Sequence, residues 1–223
     1  MNNGRAAFFD MDKTILSENS GNLYIKYMRQ TGRVSRWMAL RGIIWYLQYH
    51  LKFFNIEKIA KKTFASVEGD REPDMIKLCN RWFDEMVKNY IYPEVKPLME
   101  THSGAGDLVA ILSGGTQYAV RPLSNYLGLS KYICTHLEVK DGILTGKVIE
   151  PLCYGEGKVY WAKRFCRENG LDLSKSYFYT DSITDLPLLE LVGHPRIVNP
   201  DPLLKKEAQN RGWEIQYFSR MQE

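Results

Sequence analysis

The stretch Phe8-Phe9-Asp10-Met11-Asp12-Lys13-Thr14 constrains this chain more than any other. A short apolar run, Ala6 to Phe9, leads directly into two carboxylates one residue apart, and a threonine follows two residues later. An apolar run this short, stopped at once by polar residues, reads as a buried strand. Asp10 and Asp12 then emerge at the strand's carboxyl end, where open α/β sheets place their chemistry. There, one carboxylate can attack while its neighbour handles a proton. In isolation, an Asp-x-Asp pair fits a turn or a solvated face equally well.

The pattern recurs downstream. Leu108 to Leu112 reads as a second buried strand and ends in Ser113-Gly114-Gly115-Thr116. Tyr177 to Tyr179 reads as a third and ends in Thr180-Asp181-Ser182-Ile183-Thr184-Asp185. Between them lies Gly155-Glu156-Gly157-Lys158. Each short β run is followed at once by a hydroxyl or a carboxylate and then by a helical pattern, the βα rhythm of a parallel sheet. Taken singly, the polar residues have plainer readings. Ser113 suits a helix cap, Lys158 a solvated surface charge, and Asp181 and Asp185 caps for a helix starting near Ile183.

In their order, Asp10-Met11-Asp12-Lys13-Thr14, Ser113, Lys158 and Asp181 with Asp185 resemble the motifs of the haloacid dehalogenase superfamily, in its phosphoserine-phosphatase-like branch, subfamily IB. The stretches Thr135 to Gly146 and Asp181 to Pro195 are also similar to this branch. The similarity spans nearly all of residues 5 to 217 and is least clear from about 20 to 92. The resemblance implies an α/β fold: a Rossmann-like parallel sheet core with an all-helical cap inserted after the first strand. Residues 1–16 and 93–223 are then the core, and 17–92 the cap.

The activity implied is a Mg²⁺-dependent phosphomonoester hydrolase acting through an aspartyl-phosphate on a small or lipid-like phosphate ester. Asp10 is the expected nucleophile, splitting one hard displacement into two easier ones. Asp12 is the expected acid and base, a role worth on the order of 10²–10⁴ in rate. An anion must approach an anionic ester, so charge neutralisation is needed. Asp181, the Asp10 carboxylate and the Asp12 backbone carbonyl are the expected Mg²⁺ ligands, an all-oxygen set that suits Mg²⁺ over zinc. Lys158 supplies an ammonium, while the Ser113 hydroxyl and the Gly114 amide donate to phosphate oxygens. Asp185 is expected to hold Lys158 or a metal-bound water, and Thr14 to position Asp12 or its loop. Two alternatives stay open: a phosphotransferase using the same Asp10, and a non-catalytic module that binds a phosphate ligand.

Composition narrows the classes. At 223 residues and 44% hydrophobic, the chain can bury a full core. A net charge of +4 without a dense Lys/Arg block argues against nucleic acid and suits a small anionic substrate. The four cysteines, at 79, 134, 153 and 166, show no CxxC spacing and read as buried free thiols. With no leader pattern before the first strand and no stretch long enough to span a bilayer, a cytoplasmic protein is expected.

Punctuation sets the remaining elements. Tyr92-Pro93 marks the return from a region, 17 to 92, that is almost wholly helical in pattern. Helices are expected at about 94–103, 116–127, 156–169, 183–191 and 201–211. The helix from Glu156 to Asn169 is closed by Gly170. Strands are expected at 132–137, 196–198 and 214–218, and a hairpin over 138–148 turns at Asp141-Gly142. Asp141 and Asp172 look like turn residues, and a structural role is favoured for His194.

Two features bear on the substrate. Phosphoserine phosphatases carry a Glu nine residues after the nucleophile that helps bind the substrate's ammonium; here that position is Asn19, beside Glu18. Lys61, Lys62 and Arg71 are candidates for a substrate-binding cation in the insert. In addition, Trp37, Leu40, Ile44, Leu47, Leu51 and Phe54 form a helical stripe, with further apolar residues off it and Arg33, Arg36, Arg41 and Lys52 flanking. The plain reading is the centre of a helical cap. The sharper one is a homodimer surface, or a peripheral contact for a membrane-borne phosphate ester.

Overall fold

The computed structural model describes residues 4–32 and 63–219. The apolar stripe near 37–54, its flanking cations, Lys61 and Lys62 therefore lie outside the described residues.

Seven strands form one sheet in the order β4-β3-β2-β1-β5-β6-β7. They are β1 (Ala6–Phe9), β2 (Leu108–Thr116), β3 (Tyr132–Lys140), β4 (Ile143–Ile149), β5 (Tyr177–Thr180), β6 (His194–Val198) and β7 (Glu214–Gln216). All neighbouring pairs are parallel except β3 and β4. That exception is the expected hairpin, and Asp141 and Gly142 at its turn have φ of 51° and 76°. Two left-handed residues in succession match the twist of the flanking strands.

The central strand shows why the sheet is buried on both sides. All four residues of β1 are fully buried, and their period of two sends alternate side chains to opposite faces. Ala7 and Phe9 join a core with Ile111, Leu123, Val95 and Tyr179, whereas Ala6 and Phe8 join one with Leu112, Phe165, Phe178 and Leu189. Helices α1 (Ser20–Gln30), α2 (Glu72–Glu85), α3 (Val95–Gly104) and α4 (Gln117–Tyr126) contribute to the first core. Helices α5 (Glu156–Asn169), α6 (Leu186–Leu189) and α7 (Pro202–Arg211) pack on the second. A continuous apolar strand flanked by helices on both faces is the arrangement expected of parallel sheets.

Between β1 and α3 the described elements are α1, α2 and a 3-10 turn, Val87–Tyr90. The two chain crossings at the base of this region lie side by side. Ser17 N–H donates to the Tyr90 carbonyl at 2.7 Å, and Tyr92 N–H donates to the Ile15 carbonyl at 3.0 Å. The far end is fastened too. Gly69 N–H donates to the Leu144 carbonyl, Leu144 N–H to the Asp70 carbonyl and Glu72 N–H to the Gly142 carbonyl, each at 2.9 Å. Residues 69–72 thus run along the outer side of β4, with Arg71 bridged to Ile143.

Several boundaries differ from expectation. Strand β2 continues to Thr116 because a register shift against β3 between Ser113 and Thr116 lets the glycine pair stay in the strand. The helix expected over 183–191 is a 3-10 turn, Ile183–Asp185, followed by the short α6, where Pro187 has no N–H to give. Strand β7 stops at Gln216, after which Asn199 takes over the pairing through side-chain bonds to Phe218.

Candidate active site

Asp10 follows β1 directly, and its N–H donates to the Tyr179 carbonyl at 2.9 Å, extending the β1–β5 ladder by one residue. The chain then turns sharply. Lys13 has φ of 57°, and the Met11 carbonyl accepts from both Ile15 and Leu16 N–H at 3.0 and 2.8 Å. Asp12 is held at the mouth of this turn.

Lys158 comes from the first turn of α5. Its close approach to the sheet depends on Gly157, where a Cβ would fall 1.7 Å from the Leu152 carbonyl oxygen, so no other residue fits there. Lys158 is 4% exposed, which excludes the solvated-surface reading. Its ammonium donates at 2.7 Å to Asp10 Oδ1 and at 2.7 Å to Asp185 Oδ2, linking residues 148 and 27 positions away. Thr180 Oγ1 also donates to Asp185 Oδ2, at 2.6 Å. Burial alone would push the Lys158 ammonium down, but the charges and hydrogen bonds of Asp10 and Asp185 outweigh it and hold the group above the ordinary lysine range.

The carboxylates carry the opposite burden. Burial pushes the Asp10 carboxyl up, and the charges of Asp185 and Asp12 push with it, against the pull of Lys158. Asp181 is pushed up to about 8, first by burial and then by the charges of Asp10 and Asp185. Burial also raises Asp12, opposed by hydrogen bonds from Ser20. Asp185 Oδ1 is buried with no partner, as is Thr14 Oγ1. A buried carboxylate oxygen left without a donor, among carboxyls that resist ionisation, fits a cation that would satisfy both conditions. Among the described residues, no three His, Cys, Asp or Glu side chains gather as a ready-made metal cluster. The donors on offer are two carboxylates, Asp10 and Asp181, and main-chain carbonyls. This hard, oxygen-only set leaves room for water and suits Mg²⁺.

Ser113 is buried beside Gly114 and Gly115, and its hydroxyl accepts from Gly115 N–H at 3.0 Å, which leaves its own proton free to donate. Gly114 is exposed and backs onto the Cys153 carbonyl. Ser113 caps no helix, because the N-cap of α4 is Thr116. Nor does Asp181 or Asp185 cap the 3-10 turn after β5; the Ser182 side chain does, accepting from Thr184 N–H. All four cysteines are free and buried. Arg71 stands exposed at the N-cap of α2 and faces Asp74.

Three supporting interactions go beyond the sequence expectations. Asp12 is held by Ser20 and Asn19 of the first turn of α1, whereas the Thr14 hydroxyl contacts no partner. Thr180 bonds Asp185. Asp201 accepts from Ile183 N–H at 2.8 Å through one oxygen and from Leu203 and Leu204 N–H through the other, while its own N–H donates to the Asp181 carbonyl at 2.8 Å. It therefore fastens the loop that carries Asp181. The Asp201-Pro202 pair is a legible N-cap signal, but its reach to Ile183 is not.

Comparisons with known proteins place the chain in a family. A histidinol-phosphatase of Neisseria meningitidis is 30% identical over 217 residues, covering 95% of this chain and 98% of that one. A phosphoserine phosphatase of Mycobacterium tuberculosis is 30% identical over 222 residues, covering 96% and 70%. A solved protein of unknown function from Bordetella pertussis Tohama I superposes with a TM-score of 0.87 at 28% identity, covering 95% of this chain and 97% of that one. Residues 7–190, from the first strand to the end of the loop bearing Asp181 and Asp185 and the short helix beyond it, match the haloacid dehalogenase-like hydrolase family, and the chain belongs to that family.

Proposed function

We propose that this hydrolase is a Mg²⁺-dependent phosphomonoesterase acting through a phosphorylated Asp10. The observation that carries the reading is the buried triad in which the Lys158 ammonium stands 2.7 Å from both Asp10 and Asp185 at the carboxyl end of the central strands. Two phosphatases among the relatives support it.

An oxygen of the Asp10 carboxylate attacks phosphorus, and the bond from phosphorus to the ester oxygen breaks. Asp12 gives its proton to the departing oxygen. The Asp12 carboxylate then takes a proton from water, whose oxygen attacks phosphorus and releases phosphate and the free Asp10 carboxylate. Lys158, the Ser113 hydroxyl and the Gly114 N–H bind the phosphate oxygens, and Asp185 keeps Lys158 in place. Mg²⁺, held by Asp10, Asp181 and the Asp12 carbonyl, would neutralise phosphate charge and keep the carboxylates ionised. Residues 17–92 form a cap over this site, with the core made by 1–16 and 93–223. The substrate is a small phosphate ester. Among the described residues no helix is long and apolar enough to cross a membrane. The four unpaired thiols suit a reducing compartment such as the cytoplasm.

The test is direct. Brief reaction with para-nitrophenyl phosphate, an acid quench and peptide mapping should find phosphate on Asp10. Asp10→Asn should release no nitrophenol, and normal turnover by that variant would overturn the mechanism.

A further inference from the structure

The geometry points to Asn19 and Ser20 as positioning residues that fix which oxygen of Asp12 carries the proton given to the leaving group. The inference rests on the proposed role of Asp12 as acid. Ser20 N–H donates to Asp12 Oδ1 at 2.8 Å. Ser20 Oγ and Asn19 Nδ2 both donate to Oδ2, at 3.1 and 3.2 Å. A carboxyl group offers roughly four lone-pair sites, two on each oxygen. Both sites on Oδ2 are taken, so the free site, and the proton when present, belongs to Oδ1.

The orientation of the clamp is fixed by the helix it opens. Asn19 is the N-cap of α1, and its Oδ1 accepts from Asn22 N–H at 3.2 Å. With that end spent on the helix, the amino end must face Asp12. Ser20 is buried, so its hydroxyl does not trade Asp12 for bulk water. An Asp or Glu at position 19 would set a second carboxylate against Oδ2; an amide is the matched choice. Because α1 follows the paired crossings at Ile15–Ser17 and Tyr90–Tyr92, the acid is held by the inserted region and not by the sheet.

A misplaced acid hurts esters with poor leaving groups more than those with good ones. The experiment measures kcat/KM, which reports phosphorylation of Asp10, for para-nitrophenyl, phenyl and ethyl phosphate. The variants are Asn19→Ser, Ser20→Ala and, as reference, Asp12→Asn. Asn19→Ser keeps a helix cap while removing the donor to Asp12, so a folded protein is available even if Ser20→Ala misfolds, with thermal melts as the check. The expected result is a loss on the order of tenfold larger for ethyl than for para-nitrophenyl phosphate in both clamp variants, with Asp12→Asn showing the same bias more strongly. If Asp12→Asn shows the bias and the clamp variants lose equally on all three esters, the positioning role is overturned and the acid role stands. If Asp12→Asn shows no bias, the acid role falls and the clamp falls with it.

Discussion

The two ends of the central strands bury charge in opposite ways. At the carboxyl end, Asp10 and Asp185 share the Lys158 ammonium, Asp181 feels the charges of both, and an Asp185 oxygen has no donor. At the amino end, Asp107 is equally buried, but each of its oxygens has a partner. Arg5 Nε donates to Oδ1 at 2.5 Å, and His102 Nδ1 lies 2.7 Å from Oδ2. His102 Nε2 is in turn 2.8 Å from the Tyr179 hydroxyl, and the Tyr179 ring stacks on Phe9 at 4.3 Å. Burial works against ionisation of Asp107, yet the hydrogen bonds from Arg5 and His102 prevail and hold its carboxyl below the ordinary range. One end is balanced within the chain; at the other, among the described residues, a buried carboxylate oxygen is left without a donor. Burial alone does not mark a functional group. Burial with an unpaid partner does.

The sharpest way to break this comparison is to substitute the equivalent carboxylate at each end. Asp10→Asn should cost at least about 10⁴-fold in kcat/KM. Its thermal midpoint in metal-free buffer should hold or rise, because a carboxyl that resists ionisation has been replaced by a neutral amide. Asp107→Asn should do the reverse, lowering the midpoint by on the order of 5 °C and leaving kcat/KM within about threefold. Loss of activity without loss of stability in Asp107→Asn would show that the amino end also serves the reaction.

The pH dependence of stability separates the ends by sign. The folded Asp181 carboxyl lies above its unfolded value, so its contribution is complete below about pH 4 and disappears as pH rises through about 8. Asp107 lies below its unfolded value, so its contribution is present above about pH 4 and is lost as pH falls through the lowered folded value. Metal-free protein should therefore lose stability at both extremes. Added Mg²⁺ should recover the neutral limb alone, with the gap between Mg²⁺ and chelator melts widening from about pH 5 to about pH 8. A gap that stays constant would mean that the metal does not bind these carboxylates. The smallest effect belongs to Asp201→Ala, which should cost about 1 kcal/mol through the lost cap on α7 and weaken Mg²⁺ about tenfold by freeing the Asp181 loop, as titration calorimetry would show.

What could be read from the sequence was what neighbouring residues decide. The short apolar runs at Ala6, Leu108 and Tyr177 gave three adjacent strands because a buried parallel strand needs little besides continuous apolarity. Asp141-Gly142 announced the hairpin, and Gly170 is left-handed at the end of α5 as expected. The candidate site carboxylates and Ser113 were legible as polar residues at strand ends. Contacts between distant residues were not: Arg5 meets Asp107 across 102 positions, and Asp12 meets Asn19 and Ser20 after a turn in which Lys13 adopts a left-handed conformation that no neighbouring residue predicts. Thr14 looked like the natural partner of Asp12 by proximity in sequence, but the turn sends the α1 residues there instead.

The strip of residues 69–72 laid along β4 carries a lesson for anyone wishing to trim this protein to a minimal catalytic scaffold. Cutting away residues 69–72 would strip three main-chain hydrogen bonds from the outermost strand on that side and its turn, and bare a ladder of amides and carbonyls ready to recruit another copy. Residues 69–72 are thus a guard against edge-to-edge aggregation. A shortened version would need a proline or a lysine written into β4 before it could be expected to stay monodisperse.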